Sequence, residues 1–304
     1  MKERVDKFLI HKGYVDSRIK AQKLIDEKLV YRNEKLVEKS SLMVEDTDKI
    51  VVKDNDMFKF VSRGGFKLEK ALNSFSYSLK DKVVMDIGSS TGGFTDCALQ
   101  YGAKKVIAID VGTALLDNKL RQNPKVNLYE KTDIRNVNDQ LFADIDTIVT
   151  DVSFISLKNI IDKIVSTNVK VDFIVLIKPQ FECGRELAFK YKGIVLNKKV
   201  HENILKDIVL YLNINGFFVK GIDVSPIKGG DGNIEYLCYS SNKTTQNISF
   251  DIHSLVDRAF ENLKNRGWIL QSLFFNLTLV FNVYFVYVYI YFVFGNLLVY
   301  MIIC

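Results

Sequence analysis

Four ionisable residues stand where chemistry can be done: Lys67, Asp151, Lys178 and Glu235. Each lies at the edge of an apolar run. Lys67 falls in the first turn of a helix read from S-R-G-G-F-K-L-E-K-A-L, and Asp151 closes the strand-like D-T-I-V-T-D. Lys178 ends V-D-F-I-V-L-I and is followed by P-Q-F-E, while Glu235 is the one acid in I-E-Y-L-C-Y. A lysine abutting an apolar strand says more than one on a helix face. Two lysines and two acids brought to one crevice can hold a lysine between charge states, the carboxylates orienting it to take a proton from a hydroxyl. The competing reading is two unrelated structural ion pairs, and spacing alone leaves both open.

For the four to meet, their elements must share a sheet. Val83 to Ile87 reads as a strand, apolar except for Asp86; a glycine-rich turn follows, then F-T-D-C-A-L-Q with helical spacing. Strand, turn and helix of this kind form the nucleotide-cradling unit of a doubly wound α/β sheet, whose chemistry sits at the carboxyl ends of the strands. Gly88, Gly92 and Gly93 let the backbone turn sharply and approach a ligand, with Ser90 and Phe94 in the same cradle. The next strand, K-K-V-I-A-I-D-V, carries Asp110, about 20 residues past the turn, where a carboxylate can accept both ribose hydroxyls. Asp133, in K-T-D-I-R after a third strand, can touch an adenine amino group or simply cap a helix.

Two details favour S-adenosylmethionine (SAM) over a dinucleotide. Asp86, two residues before the first glycine, can face an ammonium group, and G-x-S-x-G-G is a poor copy of the pyrophosphate-binding G-x-G-x-x-G. An α/β turn with no ligand is the alternative. With SAM in the crevice, a lysine can take the proton of a ribose 2′-hydroxyl as its oxygen attacks the methyl group. The sulfonium is already a good leaving group, so the scheme requires neither metal nor covalent intermediate, and catalysis is alignment plus deprotonation. Lys178 is favoured as the base, with Lys67 as electrostatic support.

The formal net charge is +6, and no charged residue occurs from Gly267 onward. Such a balance favours a polyanionic partner without proving one. Cys97, Cys183, Cys238 and Cys304 form no C-x-x-C pair and read as small core residues in a reducing compartment; His11, His201 and His253 lack metal-ligand spacing, so no metal is expected. No signal-peptide core opens the chain, and a cytoplasmic location is expected. Near the N-terminus, R-V-D-K-F-L-I-H-K-G-Y reads as a helix closed by Gly13. Ser17 then caps S-R-I-K-A-Q-K-L-I-D-E-K, with Ile19, Leu24 and Ile25 expected inward. Strand-like L-V-Y and K-I-V-V follow. Lys12, Arg18, Lys20, Lys23 and Arg32 cluster around the two helices, either as a phosphate-holding surface or as a solvated charged face.

R-V-D-K-F-L, S-R-I-K-A-Q-K-L-I and the later L-V resemble the small RNA-binding fold named after ribosomal protein S-four. The resemblance implies RNA held by Arg4, Lys12, Arg18, Lys20, Lys23 and Arg32, with Arg63 of S-R-G-G beside them. The pattern departs at Lys28 and Glu34, where glycines are usual, which bears on the loops. Lys67, Asp151, Lys178 and Glu235 resemble the K-D-K-E tetrad of FtsJ-type ribose 2′-O-methyltransferases. With the blocks S-R-G-G-F-K-L, D-I-G-S-S-T-G-G-F-T-D, D-V-S-F-I-S and I-K-P-Q-F-E in this order, the chain resembles the TlyA family. That resemblance implies a Rossmann-like, SAM-dependent methyltransferase with a doubly wound seven-stranded sheet and a small N-terminal α+β RNA-binding domain. It also implies methylation of cytidine 2′-hydroxyls in ribosomal RNA of the small or large subunit, or both, with ribosomal subunits as partners. The family has also been called haemolysins, and a membrane-active cytolysin is the rival expectation.

The expected division is an RNA-binding domain over 1–60, a methyltransferase domain over 61–266 and an atypical apolar tail over 267–304. The tail contains V-Y-F-V-Y-V-Y-I-Y-F-V-F and is long enough for a membrane span of about 20 residues, with Lys264 and Arg266 keeping the enzyme on the cytoplasmic side. Residues 268–304 are thus a candidate membrane contact. An aberrant, aggregation-prone C-terminus is an equally good reading.

Overall fold

The computed structural model describes residues 2–53, 58–246 and 248–261. The apolar tail, read either as a membrane segment or as an aberrant C-terminus, lies outside these residues. Among the described residues, no helix is long and apolar enough to cross a membrane.

The N-terminal module runs β1 (Lys2–Arg4), α1 (Val5–His11), α2 (Arg18–Asp26), β2 (Val30–Arg32), β3 (Lys35–Leu36), β4 (Met43–Glu45) and β5 (Ile50–Val52). β1 pairs with β4, and β2 lies between β3 and β5. Gly13 follows α1 at φ +73°, and the Ser17 hydroxyl accepts the Lys20 amide at the start of α2. The module has its own core of Val5, Phe8, Leu9, Ala21, Leu24, Ile25, Val30 and Val44. Ile19 is a correction: it is 83% exposed. Ala21, Leu24 and Ile25 define the buried stripe, and a residue five positions before Leu24 lies well off that face at 100° per residue. Lys28 and Glu34, where glycine is usual, keep the left-handed turns anyway at φ +60° and +68°. The loops therefore retain the glycine-type bend at some conformational cost.

The larger unit continues with α3 (Gly64–Ser74), β6 (Val83–Ile87), α4 (Gly93–Gln100), β7 (Lys105–Ile109), α5 (Asn118–Arg121), β8 (Val126–Tyr129) and β9 (Thr147–Thr150). It ends with α6 (Leu157–Ser166), β10 (Asp172–Ile177), α7 (Pro179–Glu182), α8 (Gly184–Lys190), α9 (Lys198–Ile214), β11 (Phe218–Val224) and β12 (Tyr236–Ser241), and residues 252–261 are helical. After Asp110 the sequence reads as helix, strand V-N-L-Y-E, turn and helix. Instead α5 has one turn, and two 3₁₀ turns, Ile134–Asn136 and Asp139–Phe142, follow β8. Asp117, Asp133 and Asn138 cap these turns with their own side chains, the local bonding that makes such residues poor helix interiors.

The seven strands lie in the order β11-β12-β10-β9-β6-β7-β8, with β12 antiparallel to both neighbours and the other pairs parallel. After β6 the chain winds outward through β7 and β8, then returns to place β9 on the other side of β6. That reversal opens a crevice at the carboxyl ends of β6 and β9, and both the glycine turn and Asp151 lie there. The central strands are buried on both faces and read as near-continuous apolar runs. One face is covered by α6 and α9; in α6 the buried Leu157, Ile160, Ile161 and Ile164 form one stripe. The other face packs Leu68, Ala71 and Leu72 of α3 with Phe94, Cys97 and Ala98 of α4.

Candidate active site

The crevice is a cavity of about 750 Å³, in the size range of small-molecule sites. Its floor is the turn after β6. Gly92 stands at φ +96°, and a Cβ there would lie 2.3 Å from the Leu120 side chain, so glycine is required by backbone and packing together. Gly93 serves a different contact: a Cβ would lie 2.4 Å from Ser62 Oγ and 2.9 Å from the Gly65 amide nitrogen. The R-G-G and T-G-G segments thus press α3 against α4, and this carries Lys67 to the crevice. Sequence reading gives these glycines to ligand approach. In the structure, Gly92 and Gly93 make room first for neighbouring protein.

The four chemical candidates meet there. Lys67 Nζ lies 2.8 Å from Glu235 Oε2 and 3.3 Å from Asp151 Oδ2, partners 168 and 84 positions away in the chain. Lys178 Nζ lies 2.7 Å from Asp151 Oδ1 and donates to Ser153 Oγ at 3.0 Å. Acid, lysine, acid, lysine and hydroxyl therefore form one line. Lys67, Asp151 and Lys178 border the cavity, while Glu235 stands behind Lys67 with 2% of its surface exposed. Buried Asn233 fixes the turn leading to Glu235: its Oδ1 accepts the Val195 amide and its Nδ2 donates to the Gly193 carbonyl. Glu182 fixes the other side. Its carboxylate accepts the Ser156 hydroxyl and the Leu157 amide, tying α7 to the start of α6, and burial raises its pKa.

The expected cofactor residues divide. Gly88, Ser90, Gly93, Phe94, Asp110 and Asp133 border the cavity. Asp110 accepts the Ser90 amide on Oδ2 and the Gly112 amide on Oδ1, and each oxygen keeps a further lone pair. Asp133 caps the following turn, accepting the Arg135 amide, and its carboxylate pairs with that guanidinium at 2.5 Å, which lowers its pKa. Asp86 lies beneath the turn, fully buried and away from the cavity lining. Its Oδ2 accepts the Thr95 hydroxyl at 2.6 Å, while Oδ1 is buried without a partner. Burial pushes this carboxyl up to about 7. Asp86, expected to face an ammonium, thus sits behind the cavity lining with one carboxylate oxygen held by Thr95 of α4.

The expected RNA-binding side chains are mostly engaged with acids. Arg4 and Arg18 both reach Asp6 Oδ2 at 2.9 Å, Lys12 reaches Asp46 at 2.9 Å, Lys20 reaches Asp16 at 2.6 Å and Arg32 reaches Asp48 at 2.8 Å. Lys23 is exposed, and Arg63 borders the cavity. Sequence reasoning missed Ser153, Arg135 and Phe154. Phe154 is 92% exposed at φ +65°, a conformation bulky residues avoid, and its ring lies 5.0 Å from that of Phe181. The signal was available: an apolar V-S-F-I-S run directly after a strand-end acid has no strand left to pack in.

A seven-stranded sheet of this order, a glycine cradle and a lysine–carboxylate line at the switch point suit transfer of a small group to a hydroxyl. The family model described as FtsJ-like methyltransferase matches residues 60–241, and that of the S4 domain matches residues 3–50. A Bacillus subtilis chain provisionally named rRNA methyltransferase YqxC is 46% identical over 243 residues, 78% of this chain and 85% of that one. The 16S/23S rRNA (cytidine-2′-O)-methyltransferase TlyA of Mycobacterium tuberculosis is 32% identical over 248 residues, 81% of this chain and 92% of its own. A solved Streptococcus thermophilus structure provisionally named a hemolysin superposes with a TM-score of 0.67 at 38% identity, covering 88% of this chain and 98% of that one. On the match that spans most of its larger unit, and with relatives this similar over most of their length, this chain belongs to the FtsJ-like methyltransferase family.

Proposed function

We propose that the chain transfers the methyl group of SAM to the 2′-hydroxyl of cytidine in ribosomal RNA. The observation that carries this reading is the line of Glu235, Lys67, Asp151 and Lys178 opening on the glycine-floored cavity. The cavity also fits the cofactor. Asp110 presents free lone pairs for ribose hydroxyls, and Ile109, Val111, Ile134 and Ile155 offer apolar walls for a purine. Gly88 to Phe94 would cradle the rest, with Asp133 near the adenine amine and Asp86 supporting from below. When bound, SAM supplies an electrophilic methyl group on a sulfonium that needs no acid to depart.

The chain's own work is orientation and removal of one proton. Lys67 faces two carboxylates and Lys178 only one, with a neutral serine as its other partner. Deprotonating Lys178 leaves Asp151 still paired with Lys67, whereas deprotonating Lys67 would leave the buried Glu235 without its cation. Lys178 is therefore the base that takes the 2′-hydroxyl proton as the C–O bond forms and the C–S bond breaks. Asp151 aims its amine, and Lys67 holds Asp151 in place through the Glu235 anchor. Phe154 offers a stacking face at the mouth for the target base. In this division of labour residues 1–60 hold RNA and 61–266 do the chemistry, in the cytoplasm where ribosomal subunits are met.

The test is transfer from labelled SAM to unmodified ribosomal subunits by the full-length protein. Label resistant to alkali at one cytidine is the expected outcome, since a 2′-O-methyl group blocks cleavage of the following phosphodiester. No transfer by a folded, SAM-binding protein would overturn the reading.

A further inference from the structure

A target nucleotide drawn into the crevice must have its flanking strand held outside, and α8 is built for such a contact. None of its residues is buried. It begins at Gly184, and Gly193 follows shortly after its end; both stand at φ +80° with open space around them. This segment adds little to the core, yet it carries Phe189 at 89% exposure. Arg185, Lys190 and Lys192 lie within four residues of it in the chain and are exposed, and among the described residues none of the three forms an ion pair. The contrast with Arg4, Lys12, Arg18, Lys20 and Arg32, each held by an acid, is direct. Arg185 and Phe189 are four residues apart and share a helix face. The helix is rooted at the crevice mouth, because the preceding α7 starts immediately after Lys178 and sets the Phe181 ring 5.0 Å from that of Phe154.

We propose that residues 184–193 dock an unpaired stretch of RNA beside the target nucleotide. Phe189 stacks on a base, and Arg185, Lys190 and Lys192 take phosphates. This rests on the RNA-methylating reading above. Three basic side chains with no ion pair, against the single acid Glu186, fit a polyanion, and one exposed ring near them in the chain fits a base face.

The experiment compares full-length wild type with Phe189→Ala and with the triple variant Arg185→Gln, Lys190→Gln, Lys192→Gln. Binding to unmodified ribosomal subunits is titrated at several salt concentrations, and methyl transfer is followed for KM and kcat. Phe189→Ala should weaken binding about tenfold and raise KM with kcat unchanged. The triple variant should lower the salt slope by about 2, at roughly 0.7 for each phosphate contact on a single strand. Wild-type binding and KM in both variants would overturn the proposal. So would a self-association of the wild type that Phe189→Ala abolishes while RNA binding stays unchanged, since the face would then belong to a second copy. If the wild type binds subunits but transfers nothing, the methylation reading fails, and the binding curves still decide the docking surface.

Discussion

Lys67 and Lys20 each lie within hydrogen-bond distance of a carboxylate, 2.8 Å from Glu235 and 2.6 Å from Asp16. The pairs differ in what surrounds them. In the crevice the side chains keep 10% and 2% of their surface, whereas Lys20 and Asp16 keep 41% and 72%. Water and salt screen the second kind to roughly 0–1 kcal/mol, so a phosphate can displace Asp16 from Lys20 at little loss. The first kind is fixed: taking away one partner strands a buried charge, at about 3–5 kcal/mol. The same residue types thus make a permanent scaffold in the crevice and an exchangeable surface on the N-terminal module. Pairing with acids does not disqualify the module from binding RNA; its solvent exposure is what qualifies it.

The sharpest break in the comparison is Lys178→Ala. A general base contributes about 10²–10⁴ in rate, so methyl transfer to ribosomal subunits should fall by that factor. SAM binding and thermal unfolding should change little, because Asp151 keeps Lys67 as its partner. Transfer that survives this change would move the base to Lys67 or to solvent. No exposed lysine of the module should approach this effect on kcat.

Much of this contrast was legible in the sequence, and the rest was hidden for identifiable reasons. Lys178 and Asp151 follow directly from strands β10 and β9, and strand ends in a doubly wound sheet point at the crevice wherever their partners lie in sequence. For Lys67 and Glu235 the residues left convergence and unrelated ion pairs both open, because no local pattern links residues 168 positions apart. The two 3₁₀ turns after β8 were misread as helix because the Asn and Asp caps compete with helix only through local bonds that apolar periodicity ignores. Asp6 was the harder case. Its side chain gathers Arg4 and Arg18 from β1 and α2, a meeting that depends on how two helices cross. Phe154 and Phe189 escaped because exposure of an aromatic is set by what fails to pack on it.

The second test sets the two kinds of ion pair side by side. Glu235→Ala leaves Lys67 with only the partly exposed Asp151 and should lower unfolding free energy by about 3 kcal/mol in urea titration. Asp16→Ala leaves Lys20 in water and should change it by about 0.5 kcal/mol or less. Equal losses would remove burial as the distinguishing variable.

Asp6 sharpens the comparison most finely, because it is a buried acid inside the exchangeable module. Its residue is 1% exposed, while its partners Arg4 and Arg18 keep 36% and 61% of their side-chain surface. The Arg4 guanidinium, bonded to the carboxylate and seconded by Arg18, holds the Asp6 pKa down at about 2. A depressed folded-state value means the unfolded chain binds the proton first as pH falls. The stabilisation is therefore complete above the ordinary aspartate range near 4 and is lost as pH drops from there through about 2. Screening around the exposed guanidinium groups reduces its size to about 1 kcal/mol. Urea titrations of wild type and Asp6→Asn between about pH 6 and pH 2.5 should show the variant less stable at the upper end and the two curves converging at the lower end. A constant difference across that range would assign the loss to packing around Asp6, and the module's charges would then all belong to the exchangeable kind.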